Sequence, residues 1–351
     1  MRAIQVGAAG DGDLEDWDRY VRASAHSSIY HLSAWRRIFG EAFGYRTWLL
    51  AARNAGGGIC GVLPLYLVEG LFSRRLVAVP FRDRGGPVFD NLEALAALLG
   101  HAWDLARQER AGLLLKTLVP LPAAAGVENL TRSDHWVNSR MSVAGLDRAA
   151  FWERIGGKTR NKVRQAEHRG LKAALATSNS DAAASWYHLH LQTQHRLGLP
   201  PFPLRFFSLM LETLRPSGNI ELLEVRIGDE PCAATLLLMH RDSCIYGYSA
   251  SSAEGQRLRA NDLMLLESLT LAAVRGLTLF DFGSDSPSQE SLLLFKRKWG
   301  AQQQPIPVYA SGGEGISDSS DSRYALARRM FRAMPASLSS WIGSRVVRRF
   351  G

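Results

Sequence analysis

The sequence has little of what marks secreted, membrane-spanning or metal-dependent proteins. Its three cysteines, Cys60, Cys232 and Cys244, form no CxxC pair, so neither a disulfide scaffold nor a zinc site is expected. There is no apolar run of about 18 residues, the length that crosses a bilayer. Residues 1–20 contain acidic side chains and lack the apolar segment of a signal peptide. These absences predict a cytoplasmic protein.

Motifs of several common enzyme classes are missing as well. The chain has no P-loop, no HExxH pair and no Cys/His cluster with metal-ligand spacing. Gly56-Gly57-Gly58 lies between two strand-like segments rather than before a helix, so it is not a dinucleotide-binding loop. We therefore expect no metal site and no tightly bound cofactor.

What the chain does contain is an ordinary globular mixture with a basic surplus. Hydrophobic residues make up 46% and charged residues 21% of the sequence. Its length of 351 residues is enough for two domains. The 42 Lys and Arg outnumber the 33 Asp and Glu, which leaves a net charge of +9. Such a surplus suits anionic partners, for example phosphorylated substrates, nucleic acid or an acidic membrane surface.

The two halves repeat one order of secondary-structure elements. In the first half, predicted strands at Thr47–Arg53, Ile59–Val68 and Arg75–Val79 precede a predicted helix at Leu92–Gln108 and a strand at Gly112–Leu118. The segments before each half have helical character. Hairpins followed by a strand–helix–strand crossover give a mixed sheet covered by helices.

The second half follows the same order. Strands are predicted at Ile220–Ile227, Cys232–His240 and Cys244–Ser249, then a helix with Asn261 as its N-cap, then a strand at Leu277–Phe282. The repeat predicts an α/β protein, in the sense of α+β mixed sheets, with two similar domains.

We predict domains at 1–150 and 151–310, a Gly/Ser/Asp-rich linker at 311–322 and a basic tail at 323–351. The tail has seven arginines, no acidic residue and bulky apolar residues between them, and Pro335 splits it into two amphipathic helical pieces. It either lies on an anionic membrane surface or docks on the protein itself.

The segment Phe151–Lys172, where the second domain begins, is predicted to form a basic helix that Gly170 ends. Val163 and Ala166 can face the core, while the cations, including Lys158 and Arg160, are exposed. These cations form either an anion-binding surface that receives the substrate or an ordinary solvated helix face.

Two segments of the second half are candidate binding sites. On a regular strand Tyr246 and Tyr248 face the same side, beside Ser249, so the two phenols either line a pocket or pack on the core. The second segment directly precedes a helix, whose N-terminal N–H groups attract anions. Its candidate residues are Gln256, Arg257, Arg259, Ala260 and Asn261.

Candidate catalytic residues follow near the end of this half. Asp281, with Gly283 and Ser284, comes at the end of a predicted strand, and it orients or deprotonates a substrate amine or caps the next turn. Lys296, preceded by Phe295, neutralises charge on a carbonyl oxygen or holds a phosphate. The alternative for Lys296 is a surface turn with three cations.

Taken in order, several segments resemble the FemAB aminoacyltransferases and their BioF2-like relatives among the GNAT acetyltransferases. These segments are Ile29–Trp35, the Gly85-Gly86-Pro87 turn, Arg160–Gly170, Thr193–Phe207 and Tyr246–Gly300. The similarity extends over residues 25–310, and it is closest to the FemAB-like proteins of exopolysaccharide and exosortase systems.

The resemblance implies tandem GNAT-type domains that transfer an activated acyl or aminoacyl group to an amine. It implies that Phe295 and Lys296 contact the acceptor and the transition state. It also implies that Tyr246 and Tyr248 help to hold the acceptor. The 256–261 loop matches the GNAT loop for the coenzyme A pyrophosphate, although Arg259 stands where that loop has glycine. We find no coiled-coil arm like the one that binds tRNA in FemA-like members.

The expected function is transfer to an amine of an anionic or lipid-linked sugar or peptide precursor of the cell envelope or exopolysaccharide. Acyl-CoA and aminoacyl-tRNA are both candidate co-substrates, and DNA is not an expected partner. In the expected mechanism the amine attacks directly, Lys296 stabilises the developing charge, and Asp281 or a water takes the proton. The alternatives are an acyl-CoA-dependent N- or O-acyltransferase acting on a sugar or lipid-linked substrate, and a catalytically degenerate scaffold at a membrane surface.

Overall fold

The computed structural model describes residues 4–70, 73–81, 84–123, 126, 129–311, 325–334 and 336–349. The chain divides into two compact units. One comprises Met1–Trp136, Pro305–Ser317 and Arg345–Gly351, and the other comprises Val137–Gln304 and Asp318–Ser344. The predicted domain boundary lies at 150/151, whereas the chain passes between the units within two strands and again between Ser344 and Arg345 in the last helix.

The elements up to the first of these two strands are β1 (Gln5–Ala8), α1 (Leu14–Ala23), α2 (Ala34–Phe43), β2 (Thr47–Arg53), β3 (Ile59–Glu69), β4 (Arg74–Val77), β5 (Val88–Phe89), α3 (Leu92–Gln108), β6 (Gly112–Lys116) and β7 (Thr131–Ser142). The remaining ones are α4 (Arg148–Arg154), α5 (Gly157–His168), β8 (Leu171–Leu175), α6 (Asn179–Leu197), α7 (Leu204–Leu214), β9 (Ile220–Ile227), β10 (Glu230–His240), β11 (Ser243–Ser251), α8 (Ala253–Arg257), α9 (Ala260–Val274), β12 (Leu279–Asp285), α10 (Glu290–Lys298), β13 (Gln302–Ala310), α11 (Ala325–Ala333) and α12 (Ala336–Val347).

The same strand arrangement occurs in both units. In the first unit the neighbours run β1-β2-β3-β4-β6-β13, with β5 also paired to β3, and only β4–β6 is parallel. In the second unit they run β7-β12-β11-β10-β9-β8, and only β11–β12 is parallel. Each unit thus has three antiparallel strands, a helix and a parallel return strand. The predicted α/β repeat is confirmed.

Each unit packs its crossover helix against its own sheet. In the first unit Leu95 and Leu98 of α3 are fully buried in a core with Leu63 of β3. Asn91 caps this helix, since its side chain accepts a hydrogen bond from the Ala94 N–H at 2.9 Å. In the second unit Leu266 and Leu269 of α9 are fully buried in a core with Leu237 of β10. Burial of these apolar surfaces is the main stabilising contribution to each unit.

Two predicted boundaries in the second unit are wrong. The helix expected at Phe151–Lys172 is two helices, α4 and α5, separated by extended residues at Ile155 and Gly156. The Gly156-Gly157 pair explains the break, because glycine is a poor helix former. Val163 and Ala166 are buried, as expected. The N-cap of α9 is Arg259 rather than Asn261, which is the second residue of the helix.

The basic tail contacts the second unit through helices α11 and α12. Arg332 donates a hydrogen bond to Leu197 O, and His195 Nε2 lies 3.1 Å from Met334 O. A Cβ on Gly198 would clash with Arg328 O, so glycine permits this close approach. Of the two alternatives for the tail, these contacts favour docking on the protein itself. The predicted linker lies outside the described residues except for Ser311.

Among the described residues, no helix combines the length and the apolar character that crossing a membrane would require.

Candidate active site

The candidate site lies in the second unit, where two parallel strands separate. β11 and β12 pair only from Ser243↔Leu279 to Ile245↔Asp281, yet both strands continue beyond these pairs. Past this point their facing edges carry backbone N–H and C=O groups that an extended substrate can bind, as a peptide binds a sheet edge. In the first unit β4 ends at Val77, its last residue paired with β6. The separated strands therefore single out the second unit.

Lys296 lies beside the separated half of β12. Its side chain is 8% exposed, and Nζ donates to Phe282 O at 2.8 Å and to Asp285 Oδ2 at 2.6 Å. A third contact, to Gly283 O, is long at 3.5 Å. One N–H can therefore turn to a substrate oxygen while the two short bonds remain. This burial excludes the surface-turn alternative for Lys296, although the neighbouring Arg297 and Lys298 are exposed.

Phe295 and Ser284 complete the residues expected near this lysine. Phe295 is half-buried and packs on the core of the second unit, with its ring 6.4 Å from that of Trp299. Ser284 is partly exposed on β12, one residue after Gly283, whose φ of +78° interrupts the regular strand. Both residues lie on elements that border the separated strands.

Asp281 is buried, and its carboxylate already has three donors. Arg140 Nε donates to Oδ2 at 2.8 Å, and Asn138 Nδ2 donates to Oδ1 at 2.9 Å. The Gly283 N–H also donates to Oδ1, at 2.7 Å. This geometry favours the alternative that Asp281 caps the turn that follows, because donors from β7 and from the Gly283 backbone already occupy both of its oxygens. Its ion pair with Arg140 joins β12 to β7 at the base of the separated strands.

Tyr246 and Tyr248 lie on opposite faces of the sheet, so the predicted shared face is wrong. A β-bulge shifts the register, and Leu237 pairs with Tyr246 whereas Leu236 pairs with Tyr248. The extra residue is Gly247, and one inserted residue reverses the side on which later residues lie. Tyr246 packs on the α9 side of the sheet. Tyr248 packs among aromatic residues of α6 and α7.

Gln256 and Arg257 are the last two residues of the short helix α8, and the chain then turns at Leu258 and Arg259 into α9. Arg259 has φ +68° and ψ 26°, the left-handed conformation that favours glycine, so the backbone keeps a glycine-like geometry under an arginine side chain. Arg257 and Arg259 are exposed, and Ala260 is buried. The Gln256 amide lies against Ser251 and Arg196. Two cations thus flank the N-terminus of α9, an arrangement that attracts anions.

Of the two predicted basic residues on α5, Arg160 contacts the preceding helix and Lys158 is exposed. Arg160 donates to Trp152 O and Glu153 O, so its guanidinium caps the end of α4. Lys158 is exposed near the start of α5. Arg169, just past the end of α5, donates to Arg257 O at 3.1 Å and fastens this helix to the α8 loop.

Several residues of this region were not predicted from sequence. Asp285, Arg140 and Asn138 hold Lys296 and Asp281 through contacts between distant segments, which leave no local pattern. Asp262 follows the Ala260-Asn261 pair on α9 and is buried. No cluster of metal-ligating side chains occurs among the described residues.

Residues 157–289 match the family model described as an acetyltransferase (GNAT) domain. The matched segment begins at α5 and includes the bulged β11, the loop before α9, and β12. No curated protein matches the sequence.

Solved structures share the fold over most of the chain. FemX has a TM-score of 0.68 at 17% identity, over 87% of this chain and 96% of that one. The C-terminal domain of a putative lysylphosphatidylglycerol synthetase from Agrobacterium fabrum has a TM-score of 0.57 at 14% identity, over 91% and 94%. A tandem GNAT protein from the clavulanic acid biosynthesis pathway has a TM-score of 0.55 at 15% identity, over 90% and 100%.

The second unit therefore contains a GNAT acetyltransferase domain, and the chain as a whole has the fold of FemX and of tandem GNAT proteins. The resemblance to FemAB-like GNAT proteins is confirmed at the level of the fold, and the GNAT match of residues 157–289 supports acyltransferase activity.

Proposed function

We propose that the protein transfers an acyl or aminoacyl group from an activated donor to an amine of a cell-envelope or exopolysaccharide precursor. The observation that carries this proposal is the separation of β11 and β12 beside the buried ammonium of Lys296. The donor binds between the strands, and its carbonyl oxygen takes the N–H of Lys296 that now makes only a long contact. Charge that develops on this oxygen is then stabilised in a partly desolvated place.

Direct attack by the amine agrees with the state of the cysteines. Cys232 and Cys244 are buried in the second unit, and burial raises the pKa of both thiols. A thiol held in its protonated form is a poor nucleophile. The site therefore contributes position and charge rather than a covalent cysteine intermediate.

The loop before α9 supports an anionic donor. Arg257 and Arg259 are exposed at the start of this helix, which suits the phosphates of an acyl-CoA. The GNAT match of the same segment favours acyl-CoA as the donor. Aminoacyl-tRNA is the alternative donor, and an acyl-CoA-dependent N- or O-acyltransferase on a sugar or lipid-linked substrate is the corresponding alternative function.

An exposed corner of the second unit supports an acceptor at an anionic membrane surface. Four exposed apolar side chains lie on the tail helices and on the segment that contacts them, namely Leu197, Leu204, Met330 and Leu338. Exposed arginines accompany them, including Arg205, Arg329 and Arg332. Apolar side chains surrounded by arginines are typical of surfaces that lie on anionic lipid. The docked tail can contribute to such a surface without leaving the protein.

The first test identifies the donor and examines Lys296. Acetyl-CoA and aminoacyl-tRNA are each supplied with an envelope extract of the host, and the products are identified by mass spectrometry. Removing Lys296 alone leaves the Asp285 carboxylate buried without its cation, which is destabilising. The informative variant is therefore Lys296→Met with Asp285→Asn, and we expect kcat to fall about 100- to 1,000-fold.

Lys298→Ala is the matched control, because Lys298 is an exposed cation on the same helix. We expect it to keep the parent kcat. A double variant that is folded by circular dichroism and retains the parent kcat would refute the role of Lys296.

A further inference from the structure

A polar niche interrupts the apolar face of the second unit that packs against α9. Thr235 is paired with Ser249 across β10 and β11, and Leu237 is paired with Tyr246, so Thr235, Ser249 and Tyr246 share one face. The hydroxyls of Thr235 and Ser249 lie 3.0 Å apart, and the Tyr246 phenol hydrogen-bonds to both side chains. Three hydroxyl groups thus meet on this part of the sheet.

Asp262 closes the niche from the first turn of α9. Its side chain is only 10% exposed, and its Oδ1 atom has no hydrogen-bond partner. Lys162 Nζ on α5 forms an ion pair with this atom at 3.7 Å, a distance longer than that of a hydrogen bond. A buried carboxylate oxygen without a donor is costly. The niche therefore has an unmet requirement for an N–H or O–H group.

The niche opens towards the separated strands. Tyr246 is the first residue of β11 beyond its last pair with β12. Ser249 is exposed and Lys162 is partly exposed, whereas Thr235 is buried. Tyr246 and Ser249 thus place the niche beside the separated part of β11.

Stabilisation of the helix does not account for these features. An acidic residue in the first turn of a helix interacts favourably with its dipole, and it does so while exposed. Asp181 occupies the same third position in α6 and is exposed. The burial of Asp262 and the lack of a hydrogen bond to its Oδ1 atom therefore need another explanation.

We propose that the niche binds the primary amine of the acceptor substrate. The amine donates an N–H hydrogen bond to Asp262 Oδ1 and then gives one of its protons to this oxygen. This inference rests on the proposed function. The ammonium form gives one proton to Asp262, and this proton then leaves to solvent. The free amine forms a C–N bond to the donor carbonyl as the bond to the leaving group breaks. The leaving group takes the second proton from nitrogen, so atoms and charge balance.

The charged groups around Asp262 are consistent with this role. Burial raises the pKa of Asp262, while Lys162 from α5 and Arg259 from the start of α9 act to lower it. Burial also raises the pKa of Tyr246 to about 12, so its phenol remains protonated and able to donate. A carboxylate with a raised pKa is a better proton acceptor near neutral pH.

The test uses the full chain labelled with ¹³C at the aspartate carboxyl carbons. The probe is Nα-acetyl-lysinamide, and its control is Nα-acetyl-norleucinamide, which lacks the amine. We expect the amine probe to shift the Asp262 resonance saturably and to lower the pKa of Asp262, because a cation favours the charged carboxylate. The norleucine control should cause no shift. Asp262→Asn assigns the resonance.

Asp181→Asn is the matched control for loss of an N-terminal helix acid in the same unit. We expect Asp262→Asn to raise KM for the acceptor and lower kcat by at least tenfold in the transfer assay, while Asp181→Asn changes neither. No shift with the amine probe, together with normal transfer by Asp262→Asn, would overturn the inference. A saturable shift without transfer from any donor would keep the amine site and reject the proposed function.

Discussion

At the scale of single residues, a variant of Arg259 can remove the charge of the side chain while the backbone keeps its conformation. It adopts the left-handed conformation at the start of α9, where its guanidinium is exposed. In Arg259→Gly the released strain of about 1–2 kcal/mol is offset by the larger backbone entropy of glycine, about 0.5–1 kcal/mol. We expect the free energy of unfolding to change little and the affinity for acetyl-CoA to fall about tenfold, the loss typical of one charged hydrogen bond.

The matched control for this prediction is Arg241→Gly. Arg241 has φ +55° in the turn between β10 and β11, so it has the same residue type and conformation away from the loop. The Arg241→Gly variant should bind acetyl-CoA with the affinity of the parent, as measured by isothermal titration calorimetry. Equal affinities for the parent and Arg259→Gly would remove the guanidinium from the donor site.

Single residues also show what sequence can predict of a site. Lys296 was singled out from its neighbours, and the structure places it beside the separated strands. Asp281 was singled out in the same way, but its three donors make it a structural anchor rather than a free base. The difference lies in Arg140 and Asn138, which approach from a distant strand. Sequence indicates which side chains can do chemistry, and tertiary contacts decide which are available.

At the scale of elements, the bulge at Gly247 gives the two tyrosines different roles. Tyr248 is buried among Trp186, Phe206 and Phe207, whereas Tyr246 lies in the niche with Asp262. We expect Tyr248→Ala to lower the free energy of unfolding by about 3–5 kcal/mol, as for other buried aromatic side chains. Urea denaturation measures this loss.

Conservative variants of the same residues separate stability from function. Tyr246→Phe removes only the phenol hydroxyl, and we expect it to slow transfer at nearly unchanged stability. Tyr248→Phe should keep the parent kcat, because this side chain faces α6 and α7. Slower transfer in Tyr248→Phe with an unaffected Tyr246→Phe would contradict the assignment of faces.

The element order was predictable because it is repeated and has strong local patterns. The strands β2 and β9 have the predicted bounds, as does helix α3. The bulge was not predictable, because one glycine in a strand leaves the apolar pattern intact while it reverses every later side chain. Strand β12 also continues three residues past its predicted end at Phe282, and those residues border the candidate site.

At the scale of the whole molecule, the net charge of +9 and the exposed corner on the second unit bear on where the acceptor is found. We expect the protein to sediment with vesicles rich in phosphatidylglycerol and not with phosphatidylcholine vesicles. Each cation near an anionic surface contributes about 1 kcal/mol, and salt screens this attraction. Raised ionic strength should therefore release the protein.

Leu197→Glu with Met330→Glu tests the apolar part of this contact. Two carboxylates among the arginines should weaken vesicle binding at least tenfold, because they remove apolar contacts and repel anionic lipid. Leu92→Glu is the control, since Leu92 is an exposed leucine of the first unit. Parent-like binding by the double variant would place the lipid contact elsewhere. Vesicle binding by a parent protein that transfers no acyl group from any donor would instead support the alternative of a membrane-surface scaffold.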